Sequence, residues 1–111
     1  MYYQRPRNKF GAKKKEFGGR LYHSKGEAGY AQILELRKKA GEITEIVPQF
    51  RLSLDVNGYH ICNYYVDFKV TMKDGSEEIH EYKGFMTMIF QMKWKLTEAL
   101  YGEKYKMVLI K

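Results

Sequence analysis

Apolar positions along the chain change their spacing several times, and each change predicts an element. From residue 25 to about residue 40, Tyr30, Ala31, Ile33, Leu34 and Leu36 fall at helical intervals. They follow a capping-box sequence, Ser24-Lys25-Gly26-Glu27, and precede Gly41, where a helix end favours left-handed backbone. Residues 43 to 54 are rich in Ile, Val, Phe and Leu and predict a strand, with Pro48 marking an edge position or a bulge. Asn57-Gly58 turns the chain back into an alternating strand, Tyr59 to Met72. Cys62, Tyr64, Val66, Phe68, Val70 and Met72 make its apolar face, and Ile61, Asn63, Tyr65, Asp67, Lys69 and Thr71 its mixed face. Asp74-Gly75 predicts a second hairpin and a strand from about Glu77 to Gly84. A helix from Thr87 to Leu100 carries Ile89, Phe90, Met92, Trp94, Leu96, Ala99 and Leu100 and stops near Gly102. Lys106 to Ile110 reads as a last, buried strand, joined to the one before by a right-handed crossover and so parallel to it. The order αβββαβ predicts an α/β (α+β) fold: a mixed sheet with helices packed on it.

Within this pattern three charged residues stand where strands rarely place them. Asp67 lies mid-strand, and Glu81 and Lys83 are two apart in the next strand, hence on one face. Solvated cross-strand ion pairing with Lys69 or Lys83 is the plain account. Helices must cover both faces of the sheet, however, and carboxylates caught there are costly without a cation, which favours a metal held against a phosphate. Glu27 has two readings. It closes the capping box on Ser24, or it uses the face shared with Tyr30 or Ala31 and Leu34 to meet the sheet.

Charge narrows the partner. The 111 residues make one domain with a net charge of +7, 44% apolar and 30% charged residues. Eight Lys or Arg and one acid, Glu16, fall between Arg5 and Lys25, without helical or strand periodicity. Residues 1–20 therefore predict a flexible or loosely ordered basic arm, lying along phosphates or serving as a solubilising tail. No apolar run is long enough to span a bilayer, the first residues lack the apolar core of a signal peptide, and Cys62 is alone. A soluble, cytoplasmic protein without membrane contact is expected. Zinc is a poor fit, because His23 and His80 have no tetrahedral spacing with His60 and Cys62.

The order of elements, with an acid in the second strand and Glu-x-Lys in the third, resembles the PD-(D/E)XK, restriction-endonuclease-like fold of restriction enzymes and archaeal-type Holliday-junction resolvases. Ser24-Lys25-Gly26-Glu27-Ala28, Tyr65-Val66-Asp67-Phe68 and Glu81-Tyr82-Lys83-Gly84 followed by a lysine-bearing helix are similar to small phage-encoded members. Val66 replaces the proline of the motif. The resemblance implies a Mg²⁺ (or Mn²⁺) ion on Asp67, Glu81 and the main-chain carbonyl of Tyr82. Glu27 would ligate directly, through water or at a second metal, and Lys83 would hold or deprotonate the attacking water. The implied catalytic set is Glu27, Asp67, Glu81 and Lys83. DNA contacts are expected from Arg5, Arg7, Lys9, Lys13, Lys14, Lys15, Lys25, Lys93 and Lys95, with Gln91 beside the last two; an exposed polar face is the alternative on that helix. The resulting expectation is an endonuclease acting on branched DNA as a homodimer. The alternatives are a nuclease for other DNA structures, a basic nucleic-acid-binding module without catalysis, or a structural or inhibitory protein.

Overall fold

The computed structural model describes residues 15–17, 20–22 and 25–111. Along the chain come β1 (Lys15–Phe17), β2 (Arg20–Tyr22), α1 (Lys25–Lys39), β3 (Ile43–Val56), β4 (Tyr59–Met72), β5 (Glu77–Tyr82), α2 (Met88–Tyr101) and β6 (Lys106–Ile110). Strands β3, β4, β5 and β6 form one sheet in that order, antiparallel except for the parallel pair β5–β6. The αβββαβ core and its mixed sheet are thus present. Strand β3 is an edge, which is where Pro48 can stand without costing a ladder bond. The basic segment departs from its expected lack of structure, since β1 and β2 pair antiparallel, from Lys15 with Tyr22 to Phe17 with Arg20. Strands of three residues are too short to write a period into the sequence. Arg5, Arg7, Lys9, Lys13, Lys14 and Ser24 lie outside the described residues.

The chain's turns follow their residues. Asn57 and Gly58 both have positive φ, 51° and 83°, the two-residue hairpin turn whose twist matches the strands. Gly75, at φ 90°, closes the β4–β5 loop. The end of α1 is fixed by two bonds that satisfy its last carbonyls: Gly41 N–H to Lys38 O and Glu42 N–H to Arg37 O, both 3.0 Å. The start of α2 is capped by the Thr87 hydroxyl, which accepts from Phe90 N–H. Gly102 departs from expectation. Its φ is −62°, and its N–H continues the helical pattern to Glu98 O. A side chain there would place Cβ 2.4 Å from that carbonyl oxygen, so contact rather than left-handed backbone selects glycine.

Helix α1 buries Glu27, Ala28, Ala31 and Leu34, the face expected to meet the sheet. Its core holds Ile43, Phe68 and Val70, with Tyr30, Ile46 and Met72 at the margin. A second core joins Leu52, Leu54, Tyr64, Val66, Ile79, Phe90 and Tyr105, with Trp94 and Leu96 of α2 against it. Only part of the expected apolar stripe of α2 faces this core. Phe90 is buried and Trp94 and Leu96 are half-buried, while Ile89, Met92, Ala99 and Leu100 are exposed.

The two cores divide what reads in sequence as a single apolar face of β4. Phe68 and Val70 belong to the α1 core, whereas Tyr64 and Val66 belong to the other. Strict alternation would put all four on one side. Instead burial runs unbroken through Val66, Asp67 and Phe68, and opposite, between the pairs Pro48–Phe68 and Phe50–Val66, Gln49 takes φ 52°. The β3–β4 ribbon changes phase there: even-numbered residues that face α1 on one side of Gln49 and Asp67 face the second core on the other. Asp67 sits at the seam.

Candidate active site

The pairing of β4 with β5 ends where the phase changes. The ladder runs from Thr71–Glu77 to Phe68–His80, and the next partners in that register are Asp67 and Glu81. There side chains replace the backbone exchange: Asp67 N–H donates to Glu81 Oε1 at 3.1 Å, and Tyr82 N–H donates to Asp67 Oδ2 at 2.8 Å. Meanwhile β4 continues with β3 through Phe50–Val66, and β5 continues with β6 through Tyr82–Ile110. The sheet forks, and two carboxylates close the fork by capping the amides that the parting strands release.

Both carboxylates are removed from water, at 6% exposure for Asp67 and 3% for Glu81. Burial first, and the charge of Asp67 second, push the Glu81 carboxyl up to about 8. Lys83, the Asp67 amide and Tyr64 act in the opposite direction and do not cancel the effect. The Lys83 ammonium lies 3.8 Å from Glu81 Oε2 and 4.7 Å from the centre of the Phe90 ring, so α2 holds the lysine beside the acid through a cation–π contact. Asp67, Glu81 and Lys83 are therefore brought together as expected.

Glu27 arrives from α1 and is 5% exposed. Its Oε2 accepts from Gln49 Nε2 at 3.3 Å. The left-handed turn of Gln49, directly across from Asp67 in the register, brings Glu27 to the same end of the sheet. Close approach of α1 and β5 supports this placement: a Cβ on Gly26 would fall 2.3 Å from Tyr82 Oη, so any other residue there would displace the tyrosine ring beside Glu27. Among the described residues no three His, Cys, Asp or Glu side chains gather closely enough to hold an ion between them. The pairing of Lys69 considered from the sequence is made elsewhere, with Glu77 at 2.9 Å.

The remaining candidates are spread over the surface. Lys25 is exposed at the first residue of α1, Gln91 and Lys95 are exposed on α2, and Lys93 there is half-buried. Lys15 begins β1. No described helix is long and apolar enough to cross a membrane.

Sequence reasoning missed Gln49, because a glutamine after proline in a strand carries no signal of positive φ. It also missed a part-buried chain formed by Tyr30, His80 and Glu78. The Tyr30 hydroxyl hydrogen-bonds His80 Nδ1, and His80 Nε2 meets Glu78 Oε1 at 2.8 Å. Burial lowers the pKa of His80, Glu78 opposes this, and Arg37 and Lys106 add to it. The chain ties α1, three residues beyond Glu27, to β5 next to Glu81. Glu78-x-His80 on one strand face was the legible half of it.

Comparison of the sequence with curated proteins and with solved structures finds no match. A family model matches residues 7–111, nearly the whole length, and the chain belongs to the family described as protein of unknown function (DUF1064).

Proposed function

We propose that the protein is a metal-dependent endonuclease that hydrolyses DNA phosphodiesters, acting as a homodimer on branched or junction DNA. One observation carries the reading: two like-charged carboxylates, Asp67 and Glu81, are buried side by side in a forked sheet next to Lys83. Capping the two released amides offsets only part of the cost of that arrangement, because both carboxylates are desolvated and the pair repels when both are ionised. A carboxyl pushed up as Glu81 is, beside a second acid and a lysine, marks a functional-site candidate.

A divalent cation fits these residues. Asp67 and Glu81 supply hard oxygen donors, the main-chain carbonyl of Tyr82 follows directly, and Glu27 serves through water or at a second ion. Glu81 titrating near 8 means that the lysine alone does not neutralise the pair. Mg²⁺ or Mn²⁺, when bound, polarises the phosphate and lowers the pKa of a coordinated water. The chain's own contributions are distinct. Lys83, steadied on Phe90, orients the attacking water and offsets charge growing on the phosphate. Gln49 holds Glu27 in place, and the two capped amides fix both carboxylates.

The described elements are those of the αβββαβ core and the β1–β2 hairpin, and none among the described residues is set apart to read base sequence, which favours recognition of shape and backbone. Two paired incisions in a junction call for a two-fold dimer. The test is cleavage of a labelled four-way junction beside matched duplex and single strand, with Mg²⁺ or with EDTA, for wild type and Asp67→Asn. Symmetric, metal-dependent nicks that vanish in the variant are expected. Absence of any cleavage, with DNA binding indifferent to the substitution, would leave a non-catalytic basic binding module.

A further inference from the structure

Beyond the seam at Gln49 and Asp67, the β3–β4 ribbon has one covered face and one open face. Leu52, Leu54, Tyr64 and Val66 point into the second core. The odd-numbered residues therefore point away from it. Arg51 stands directly across from Tyr65, and both are exposed, Tyr65 at 46%. Ser53 pairs with the half-buried Asn63 in the next position, and the exposed Ile61 follows. This face begins at the site itself: Tyr65 is two residues from Asp67, about 7 Å along a strand, and Arg51 is two residues from Gln49.

The composition of the face selects its occupant. A guanidinium presents fixed donors for a phosphate, and a tyrosine ring offers a sheet-borne surface for stacking a base. The acid farther along, Asp55, is engaged by His60 Nδ1 at 2.7 Å and by the Ser53 hydroxyl at 2.9 Å, which moderates its repulsion of a polyanion. In duplex DNA about 7 Å is the axial rise of two nucleotides of one strand, and an unpaired strand can extend at least as far, so a phosphate at Asp67 and Glu81 leaves a base one or two nucleotides away within reach of Tyr65.

We infer that the open face of the ribbon, centred on the Arg51–Tyr65 pair, docks an unpaired strand of DNA leading into the Asp67–Glu81 fork. This rests on the nuclease reading and adds the feature that the substrate must offer. A base can stack on Tyr65 only when it has left the duplex, so the strand next to the cut is unpaired, as in a flap or at a branch point.

The test measures binding in the cleavage-deficient Asp67→Asn background, so that cleavage does not interfere. Tyr65→Ala, Tyr65→Phe and Arg51→Gln are each combined with it and titrated with a labelled single-stranded oligonucleotide and with the matched duplex. Far-UV circular dichroism checks that each variant folds. Tyr65→Ala weakens single-strand binding by about tenfold or more and duplex binding little, while Tyr65→Phe retains it. Arg51→Gln lowers the salt slope for the single strand by about 0.7. Single-strand affinity and slope equal to those of the parent would overturn the inference, even if the wild type cleaves junctions. The opposite result, binding lost as expected with no cleavage of any DNA by the wild type, would retain the docking face and remove the nuclease reading.

Discussion

Two cross-strand arrangements join β4 to β5, two residues apart on β4 and four apart on β5, and obey different rules. In one, Lys69 meets Glu77 at 2.9 Å, opposite charges at the half-covered end of a regular ladder. In the other, Asp67 and Glu81 meet where the ladder opens, like charges away from water. The first is what a sheet does with charge to remain soluble. The second raises Glu81 to about 8 and is tolerable because the released amides of Asp67 and Tyr82 are bound by these same carboxylates. Position within the fold decides whether a strand carboxylate joins a part-exposed ion pair, as Glu77 does, or is buried beside a second acid, the arrangement on which the proposed chemistry rests.

Breaking the like-charged pair should have the largest effect. Asp67→Asn or Glu81→Gln should lower single-turnover cleavage by at least about a thousandfold, while DNA binding stays the same or tightens as repulsion of phosphate is relieved. Lys83→Ala should cost the chemical step on the order of a hundredfold with little change in affinity; equal single-turnover rates would remove the lysine from the mechanism.

The pH dependence of stability sharpens the same contrast. Unfolded, Glu81 titrates near 4.5; folded, near 8. Between these values the native chain holds the extra proton, so its stabilising effect is full below the unfolded value and is lost as pH rises through the folded one. Metal-free wild type should lose up to about 1.4 kcal/mol per pH unit from this group across that window, and Glu81→Gln should flatten the slope. Urea denaturation at pH 5, 6.5 and 8 in EDTA decides, and parallel slopes for the two proteins would contradict the raised carboxyl.

Next in size is the contact behind Glu27. Gln49→Gly keeps a backbone suited to positive φ and removes the side chain with the amide that holds Glu27, so cleavage should fall by about tenfold, with a smaller change in Tm. Unaltered cleavage would leave Glu27 without need of that partner. The smallest effect belongs to the ordinary ion pair: Lys69→Met should change stability by about 1 kcal/mol or less and leave cleavage intact.

How much of this was legible in the sequence follows from which signals are local. The limits of β4 and β6 and the helix α1 are written in periodicity and turn residues, and Asp67, Glu81 and Lys83 stood out because strands avoid such side chains. The seam was not legible. Tyr64, Val66, Phe68 and Val70 alternate without fault, and nothing in that spacing shows that a twist in mid-strand hands half of them to another core. The same holds for Ile89 and Met92, apolar residues that the sequence assigns inward and the fold leaves exposed. Contacts between distant elements, Gln49 with Glu27 and Tyr30 with His80, depend on that three-dimensional arrangement and leave no local trace.

The change of phase also sets where the chain tolerates a change of length. An extra residue at the exposed Asn57-Gly58 turn lengthens a loop in solvent and leaves both halves of the ribbon in step. One inserted beside Gln49 would exchange the inner and outer faces of the distal half of β3, driving Arg51 toward the core and Leu52 into water. Insertions and deletions should therefore accumulate at the tip of the hairpin and be excluded from its middle, although the middle is the less regular of the two.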